Sequence, residues 1–406
     1  MRVLFITPRF EKIAGEGLYA VNLAHALVDA GIDVHVLTIQ KNRFVHFKID
    51  RVHEVNLINV SQEQKQNVIT MNYYSIMAKI FLENILITLR FDCIHIHNIH
   101  QYFTLSSIVS LKNHKIPIVM TIHDYKVLCG NAGFFSNRTN RPCINCLKGR
   151  PYHALLERCK DGSFIKSFGT WLQMEMWRYV DFVKSVTYFH VGSEFVYNLL
   201  NKNTSFDGKL KLIRLPYFRK EDVNLNAAEE NRIGYIGRFV PHKGIGIFAE
   251  SVKELNVPIH IYGDGPEKGI ALKILKDKQN VFFHGWQGRE NIYKTLNLGS
   301  IVIVPYLTFE TFCYVVLEAM MSGCCVIASN RGAIGEFIKD GVNGILINDP
   351  KPGGFRQAVI ELLANPAEIL SIGTNASKID QDLMGIKEHA EEVARLYYSA
   401  LQRKSL

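Results

Sequence analysis

The apolar positions of the first forty residues follow two patterns, one typical of buried strands and one typical of a helix that lies on a sheet. Residues 3–7 form a short apolar run. Alanine, leucine and valine then recur at i, i+3, i+4, i+7 and i+8 from Ala20 to Val28, the spacing of one helical face. Gly31 is placed to end this helix, and a second strand-like run covers residues 34–39. A strand, a helix and a strand in this order predict a parallel sheet with a right-handed crossover.

The same alternation continues along the chain and predicts a second domain. The first half has further strand-like runs at 92–97 and 116–122. The strand-like runs of the second half are residues 233–237, 258–262, 281–284, 301–305, 325–328 and 345–347. Helical patterns separate them, near residues 244–256, 268–279, 289–298, 313–322 and 353–364. We therefore predict an α/β fold with two Rossmann-like doubly wound parallel-sheet domains and a cleft between them.

Length and composition agree with this organisation. The chain has 406 residues, of which 48% are hydrophobic and 21% charged, and these values exclude collagen-like, disordered and low-complexity classes. The polar stretch 220–231 is the natural linker, which places the N-terminal domain at 1–219 and the C-terminal domain at 232–383. An amphipathic helical pattern occupies most of the remaining segment, 384–406.

The net charge of +9 is unevenly distributed. Residues 1–200 hold 22 Lys and Arg against 15 Asp and Glu, whereas residues 201–406 hold 25 against 23. Two interpretations stay open for the basic half: a surface for an anionic partner such as a lipid headgroup, or a solvated face that keeps the protein soluble. Nucleic acid is not expected as a partner, because charge alone supports it and no RNA- or DNA-binding module is recognisable.

Hydropathy and the number of cysteines indicate where in the cell the protein is expected. The sequence has no stretch of about 20 uncharged apolar residues, so no membrane-spanning helix is expected. Eight cysteines without a signal peptide are typical of reduced thiols in a cytoplasmic enzyme. The aromatic-rich apolar stretches 69–89 and 164–183 allow two interpretations: ordinary core helices, or surfaces that attach peripherally to the inner face of a membrane.

Two cations flank the turn between the first strand and the first helix of the second domain. Gly237 and Arg238 end the strand-like run, and Lys243 and Gly244 open the helix. Ligands of doubly wound domains bind where the carboxyl end of a strand meets a helix N-terminus. The combined charge of +2 matches the −2 of a nucleoside diphosphate ester, and it favours a departing diphosphate whose negative charge grows.

A pair of glutamates follows the strand-like run 301–305. We expect Glu310 in the loop and Glu318 about two turns inside a helix that starts near Phe312. The backbone N–H groups at that helix start, those of residues 312–314, are then available for phosphate or sugar oxygens. A carboxylate accepts hydrogen bonds from two sugar hydroxyls at once, so the pair indicates a sugar-binding site.

Together these motifs resemble the retaining family 4 glycosyltransferases of the GT-B fold, and the resemblance covers nearly the whole chain. It rests on Ala14-Gly15-Glu16-Gly17, Thr121-Ile122-His123-Asp124-Tyr125, Gly237-Arg238 with Lys243-Gly244, Gly263-Asp264-Gly265-Pro266-Glu267, and Glu310 to Glu318. It implies transfer of a sugar from a UDP- or GDP-sugar to a glycan or lipid-linked acceptor, in bacterial surface polysaccharide biosynthesis, with retention of anomeric configuration. It also implies that segment 384–406 crosses back onto the N-terminal domain.

The resemblance implies a role for each matching residue. Arg238 and Lys243 hold the donor diphosphate. Glu310 contacts the transferred sugar, Glu318 binds the nucleotide ribose, and His123 lies near the sugar across the cleft. We therefore expect His123, Glu310, Arg238 and Lys243 to be the catalytic residues. The remaining expected donor-binding positions are Gly15, Gly237, Gly265, Phe312, Cys313 and Tyr314.

The sequence departs from the family pattern where Ala14, Cys313 and Ala333 stand in place of usual glycines. Cys313 is expected to narrow the backbone approach to the sugar. None of the three departures removes a charged group, so we still expect activity. No Asp-x-Asp motif follows a strand, and the cation pair can replace a divalent metal at the leaving group. Transfer is therefore expected to be metal-independent, with no cofactor for catalysis.

Half of the eight cysteines fall in the basic loop 129–159, within 31 residues. They are Cys129, Cys143, Cys146 and Cys159. The C-x2-C spacing is half of a familiar zinc site, and two interpretations stay open: a structural four-thiolate zinc site, or a chance cluster of reduced thiols. The nearby histidines His95, His97 and His100 are expected to line the cleft or to be buried, not to bind metal.

Two other function classes are considered. A catalytically inactive homologue that still binds nucleotide sugar is the main alternative, and the intact charged residues argue against it. A dinucleotide-dependent oxidoreductase is discounted, because the sequence has no Gly-x-Gly-x-x-Gly with a following acidic residue.

Overall fold

The structure is a computed structural model, and it describes residues 1–8, 10, 15–38, 54–56, 76–98, 105–148, 150–217 and 231–405. Four features named above lie outside the described residues: Ala14, His100, residues 69–75 and the predicted linker up to residue 230. Backbone contacts divide the chain into two compact units. The first comprises residues 1–132, 145–216 and 384–406, and the second comprises residues 133–144 and 217–383.

The first unit is built on a parallel sheet whose described strands have the order β3-β2-β1-β4-β5-β8-β9. These strands are β1 (Arg2–Ile6), β2 (Asp33–Thr38), β3 (Glu54–Asn56), β4 (Cys93–Ile96), β5 (Ile118–Thr121), β8 (Tyr188–Val191) and β9 (Leu210–Leu212). Strand β1 pairs with both β2 and β4, so it lies inside the sheet. Its residues 3–6 are fully buried, which is why its sequence is a continuous apolar run without alternation.

The helices of the first unit follow the predicted alternation. They are α1 (Gly15–Asp29), α2 (Ile76–Leu89), α3 (Leu105–His114), α4 (His153–Leu156), α5 (Phe164–Tyr179), α6 (Phe182–Ser185), α7 (Glu194–Leu200) and α15 (Ile386–Ser405). Helix α1 buries the face predicted from its spacing, and Gly31 follows it with φ +83°. Helix α15 packs on α1, β4 and β5, so the terminal segment is part of the first unit. No helix within the described ranges is both long enough and apolar enough to cross a membrane.

The second unit repeats the architecture with strand order β12-β11-β10-β13-β14-β15, all parallel. The strands are β10 (Arg232–Ile236), β11 (Ile259–Tyr262), β12 (Val281–Gly285), β13 (Ser300–Val304), β14 (Cys325–Ser329) and β15 (Ile345–Ile347). The helices are α8 (Ile245–Val252), α9 (Lys268–Ile274), α10 (Arg289–Thr295), α11 (Tyr314–Met321), α12 (Ile334–Phe337), α13 (Pro352–Ala364) and α14 (Pro366–Ala376). One core lies between the sheet and helices α8, α9 and α13. The fold class predicted from the sequence, two Rossmann-like parallel-sheet domains, is confirmed.

The structure differs from the predicted elements at several boundaries. Helix α10 ends at Thr295, because Leu296 is extended and its side chain fills the space over Gly234 of β10. Helix α11 starts at Tyr314, two residues later than predicted. A short antiparallel hairpin of β6 (Phe135–Ser136) and β7 (Arg141–Pro142), which the sequence analysis does not predict, belongs to the second unit.

Candidate active site

The loop after β10 carries the predicted lysine, and glycine makes its position possible. Gly244 has φ +66°, and a side chain there would overlap the backbone oxygen of Pro305 at the end of β13. The backbone N–H of Leu307 donates to the carbonyl of His242 over 2.8 Å. These contacts hold the loops after β10 and β13 against each other, because the carboxyl ends of parallel strands meet at one edge of the sheet.

Lys243 and Glu310 form an ion pair at this edge. The Lys243 Nζ lies 2.8 Å from Oε1 of Glu310, and the two side chains are only 15% and 14% exposed. The same ammonium lies 3.9 Å from the centroid of the Tyr306 ring, a cation–π contact. The sequence predicts both charged residues as site residues, and the structure brings them together.

Two neighbouring loops hold the backbone at Glu310. Gly332, with φ +66°, approaches so closely that a side chain there would overlap the backbone of Glu310. Glu310 and Gly332 form an isolated parallel bridge, and the N–H of Ala333 donates to the carbonyl of Glu310 over 2.9 Å. The hydroxyl of Thr308 donates to the carbonyl of Gly133, which anchors the hairpin segment beside the same loop. The loop after β14 is thus a positioning element for Glu310 that the sequence analysis does not assign.

Glu318 has a cationic partner that the sequence analysis missed. Nη1 of Arg289 donates to Oε1 of Glu318 over 2.6 Å, and the glutamate side chain is 15% exposed. Burial raises the pKa of Glu318, and the guanidinium opposes that shift. One feature of the sequence could have indicated this partner. Arg289 is in the first turn of α10, where the helix dipole disfavours a cation, so a nearby carboxylate is expected to stabilise it.

Arg238 lies two residues after the end of β10 and faces solvent. Within the described residues its guanidinium has no hydrogen-bond or ion-pair partner. Burial, together with the charges of Lys243 and Arg238, lowers the pKa of His242 to about 4, which reflects how close both cations lie to that imidazole. The site therefore offers one unpaired guanidinium and one ammonium that a carboxylate neutralises.

Glycines of the loop after β11 let two backbone segments touch. Gly263 has φ +130°, and a side chain there would overlap the carbonyl oxygen of Gly237. At Gly265, with φ +154°, a side chain would overlap the backbone of Phe239. The N–H of Phe239 donates to the carbonyl of Asp264, and that of Glu267 donates to the carbonyl of Phe239. The predicted positions Gly237 and Gly265 therefore lie in two loops that contact each other, and Arg238 belongs to the first of them.

The start of α11 has a backbone conformation that suits the glycine implied by the family resemblance at position 313. Cys313 precedes the helix with φ 63° and ψ 66°, a left-handed conformation that favours glycine. The first residues of a helix have no intrahelical acceptor for their N–H groups, so a helix start of this kind can bind an anionic oxygen. Burial raises the pKa of the Cys313 thiol, and the nearby Glu310 carboxylate adds to this effect.

The remaining predicted site residues lie in the first unit. Gly15 begins α1 after β1, with φ +60° and open space around it. His123 follows β5, and its ring contacts Tyr19 edge-on at 5.2 Å between centroids. Burial lowers the pKa of His123 to about 3, so it is neutral at pH 7. The predicted roles of these residues toward a ligand stay predictions.

A network of buried histidines surrounds that position. Nδ1 of His95 bonds to the hydroxyl of Tyr397 over 2.6 Å, and its Nε2 bonds to that of Thr121 over 2.7 Å. His389 bonds to the hydroxyl of Tyr19 over 2.8 Å, so α15 is tied to both α1 and β4. His95 and His97 are buried, one of the two alternatives expected from the sequence.

The cysteines of loop 129–159 do not assemble into a metal site in this structure. Cys143 belongs to the second unit and the other three belong to the first. None of the four forms a disulfide, and among the described residues no three His, Cys, Asp or Glu side chains form a group that could hold a metal ion. The Sγ of Cys129 donates to Oδ1 of Asn131 instead. The four-thiolate zinc site therefore stays a prediction.

Solved glycosyltransferase structures share this fold. Sucrose-phosphate synthase from Thermosynechococcus elongatus matches with a TM-score of 0.71 at 17% identity, over 99% of this chain and 100% of that chain. HepE of Anabaena in complex with UDP and glucose matches with a TM-score of 0.67 at 15% identity, over 98% and 100% of the two chains. Identities this low establish the fold alone, which is that of the GT-B glycosyltransferases.

Comparison of sequences narrows this class to a family. The family model Glycosyltransferase Family 4 matches residues 13–214, and the model Glycosyl transferases group 1 matches residues 230–365. An uncharacterised glycosyltransferase of Methanocaldococcus jannaschii is 24% identical over 97% of this chain and 99% of that protein. The lipopolysaccharide 1,2-N-acetylglucosaminetransferase of Salmonella typhimurium is 31% identical over 31% of this chain and 37% of that protein. The chain belongs to the family 4, group 1 glycosyltransferases, as its motifs predict.

Proposed function

We propose that this glycosyltransferase takes a sugar from a UDP- or GDP-sugar and transfers it with retention of anomeric configuration. The observation that carries the proposal is the contact between Lys243, in the loop after β10, and Glu310, in the loop after β13. Arg238 is exposed in the loop after β10. In a nucleotide sugar the diphosphate and the transferred sugar are directly bonded. A cation for the diphosphate and a carboxylate for the sugar must therefore lie side by side, and these two side chains do.

The charges of the site suit the leaving group. In the absence of donor, Glu310 neutralises Lys243; a bound diphosphate takes over that role and frees the carboxylate to accept sugar hydroxyls. Each close charge pair contributes on the order of 4 kcal/mol at an effective dielectric constant near 20. Because the negative charge of the diphosphate increases as it departs, Arg238 and Lys243 stabilise the transition state more than the ground state.

We propose that this transfer needs no divalent metal, since the two cations supply the charge neutralisation that a metal gives other transferases. The experiment is a transfer assay with and without excess chelator. We expect equal rates in both. Complete loss of activity that magnesium restores would show that the cation pair is not sufficient.

The acceptor is proposed to be a glycan or lipid-linked saccharide of a bacterial surface polysaccharide. Partial matches include the Salmonella lipopolysaccharide enzyme and the poly(ribitol-phosphate) alpha-N-acetylglucosaminyltransferase of Staphylococcus aureus, which is 30% identical over 36% of this chain. These names describe transfer to lipopolysaccharide and to poly(ribitol-phosphate). The basic character of the first half of this chain suits the anionic groups of such acceptors.

A ligand panel and one variant test the proposal against the inactive alternative. Only ligands that bind the native state raise the melting temperature, so we expect a UDP- or GDP-sugar, and not ADP- or CMP-sugars, to do so. Glu310→Gln is expected to retain this shift but to lose transfer, whereas the exposed Glu361→Gln retains both. Nucleotide binding without transfer in the unmodified protein, across all donors, would favour the inactive homologue.

We also propose that one face of α5 attaches the protein to an anionic membrane surface. The face exposes Phe164, Ile165, Phe168 and Leu172, with Ile165 82% exposed. The opposite face of the helix is core, since Trp177 is buried against Phe182. Helix α4 packs beside it and adds the exposed Leu156. An exposed apolar patch of this kind marks an interaction surface.

The cations around α5 favour a lipid surface over a second protein. The exposed basic residues of the adjoining segment are Lys148, Arg150, Arg158, Lys160 and Lys166. Apolar side chains with surrounding lysine and arginine are typical of helices that lie in the interface of anionic bilayers. We expect sedimentation with anionic vesicles that weakens in high salt and in Ile165→Asp, but not in Ile360→Asp on α13. Protein that stays in the supernatant at low salt would refute the attachment.

A further inference from the structure

Arg289 and Glu318 form an ion pair within the second unit, on two helices that follow different strands. Arg289 is the first residue of α10, which follows β12, and Glu318 lies in the second turn of α11, which follows β13. Nη1 of Arg289 lies 2.6 Å from Oε1 of Glu318. The arginine side chain is 33% exposed and the glutamate side chain 15%. The pair is therefore mostly enclosed, yet solvent still reaches it.

This contact occupies only one oxygen of the carboxylate. Oε2 of Glu318 has no hydrogen-bond or ion-pair partner in the described ranges, and it is not one of the fully buried polar atoms there. The neighbours of Glu318 in α11 are buried and mostly apolar: Val316, Leu317, Ala319 and Met320. A carboxylate with one unused oxygen that reaches solvent can accept hydrogen bonds from the hydroxyl groups of a ligand.

One cation controls the charge of this carboxylate. Among the described residues, the charged and titratable groups that face Glu318 are Arg289 and Tyr293 from α10, with Cys313 and Tyr314 from the start of α11. Burial raises the pKa of both tyrosines and of the thiol, so these three groups are uncharged near pH 7. Burial also raises the pKa of Glu318, and the guanidinium opposes that shift. Without a cation, an enclosed carboxylate takes up a proton more readily.

We propose that Arg289 is a positioning residue that holds the Glu318 carboxylate ionised, with Oε1 on the guanidinium and Oε2 open to a ribose hydroxyl of the donor nucleotide. The proposal rests on the proposed function, in which the donor is a nucleotide sugar, and on the ribose-binding role that the resemblance implies for Glu318. An ionised carboxylate accepts stronger hydrogen bonds than a protonated one. Arg289 therefore acts on nucleotide affinity through Glu318.

The pH dependence of nucleotide binding separates this role from packing. The probe is UDP or GDP, whichever raises the melting temperature of the unmodified protein. Arg289→Met removes the charge, so Glu318 is protonated at a higher pH. We expect Arg289→Met to bind about tenfold more weakly than the unmodified protein at pH 6, and the difference to narrow toward pH 8. Arg289→Lys retains a cation and is expected to bind more tightly at pH 6 than Arg289→Met. A loss that is the same at every pH would overturn the proposal, as would unchanged binding.

Arg356→Met is the matched control for the loss of an ion pair. Nη1 of Arg356 lies 2.9 Å from Oε2 of Glu254, and the arginine side chain is 27% exposed, similar to that of Arg289. That pair joins α13 to the segment just after α8. We expect Arg356→Met to bind the nucleotide with the pH profile of the unmodified protein. A shift of its profile equal to that of Arg289→Met would show a general effect of ion-pair loss and overturn the proposal.

Deoxyribose analogues of the nucleotide test whether Glu318 acts on the ribose. The comparison at pH 6 is between UDP or GDP and its 2′-deoxy and 3′-deoxy forms. Two changes that act through one carboxylate are not additive. Arg289→Met is therefore expected to weaken the binding of at least one deoxy form less than that of the ribonucleotide. The same loss for all three nucleotides would overturn the proposal.

Carbon-13 NMR of the glutamate carboxyl groups tests the charge of Glu318 without any ligand. The carboxyl signal moves on protonation, and the signal that disappears in Glu318→Gln identifies Glu318. We expect its titration midpoint at a higher pH in Arg289→Met than in the unmodified protein, and equal midpoints would overturn the proposal. If neither UDP nor GDP binds the unmodified protein, the proposed function fails, and the NMR titration still decides whether Arg289 controls the charge of Glu318.

Discussion

At position 313 the backbone has a conformation that restricts which residues fit there. The chain enters α11 through a left-handed residue, which glycine adopts without strain, yet this protein has a buried cysteine there. A non-glycine residue in this conformation costs roughly 1–2 kcal/mol. The thiol regains part of that cost by burial. The departure from the family pattern at Cys313 is therefore tolerable, and the backbone path to the N–H groups of α11 is retained.

Two substitutions test this explanation. Cys313→Gly is expected to change the free energy of unfolding by less than about 1 kcal/mol, because relief of strain offsets the lost burial. Cys313→Val puts a β-branched side chain into the left-handed region, so we expect a loss of about 2 kcal/mol or more. Denaturant titration of both variants measures the difference. Equal denaturation midpoints for Cys313→Gly and Cys313→Val would contradict the explanation that the backbone at position 313 is strained.

Gly332 offers a second test at the scale of single residues. A methyl group there would overlap the backbone of Glu310, so Gly332→Ala must displace that glutamate from Lys243. We expect kcat/KM to fall by on the order of 100-fold, as for a displacement of about 1 Å at a reacting group. The control is Gly341→Ala, which has a similar φ of +72° but open space around it. It is expected to lose about 1 kcal/mol of stability and no activity, and equal activity in the two variants would exclude the positioning role.

Charge and spacing predicted most of the site residues, but not their partners. Arg238, Lys243 and Glu310 could be named because they follow strand-like runs, where doubly wound domains bind their ligands, and Glu318 because it matches a residue of the family motif. The pairing of Glu318 with Arg289 could not, since these residues lie 29 positions apart on different helices. Such a contact depends on how α10 and α11 pack, and periodicity carries no information about that.

At the scale of elements, helix ends were harder to predict than the alternation of strands and helices. Strands β1, β10 and β13 are buried on both faces, so their apolar runs are distinct in sequence. Helix α10 stops earlier than its pattern predicts because Leu296 is needed over Gly234. The hairpin of residues 135–142 has strands of only two residues each, too short for any periodicity to appear.

The histidine network that ties α15 to the sheet predicts a loss of stability in mild acid. Burial lowers the pKa of His190 to about 4, and it lowers those of His95, His97, His123 and His389 as well. Below pH 6.5 the unfolded chain therefore binds more protons than the folded protein. Stability is complete above that pH and falls toward pH 4, by about 1.4 kcal/mol per pH unit for each histidine.

Denaturant titration between pH 7 and pH 5 measures this dependence. We expect the free energy of unfolding to decrease as the pH falls. The slope should be smaller in His190→Gln by about the contribution of one histidine. A free energy of unfolding that is constant over this range would contradict neutral burial of the network.

At the scale of the whole molecule, the chain order and the structural units do not coincide. Segment 133–144 lies between two parts of the first unit but belongs to the second, and the last helix returns to the first. The predicted linker at 220–231 was located from composition and lies almost entirely outside the described residues. Composition can locate a polar stretch such as the linker. The assignment of segment 133–144 to the second unit depends instead on its contacts, for example the hydrogen bond from Thr308 to Gly133.

The central claim is that fixed cations at the end of β10 hold the diphosphate of an activated sugar. The most direct test is a crystal structure of the protein with UDP or GDP, whichever raises its melting temperature. We predict diphosphate oxygens within hydrogen-bonding distance of Arg238 and Lys243, and ribose hydroxyls on Glu318. A nucleotide bound elsewhere, with no contact to either cation, would contradict the account.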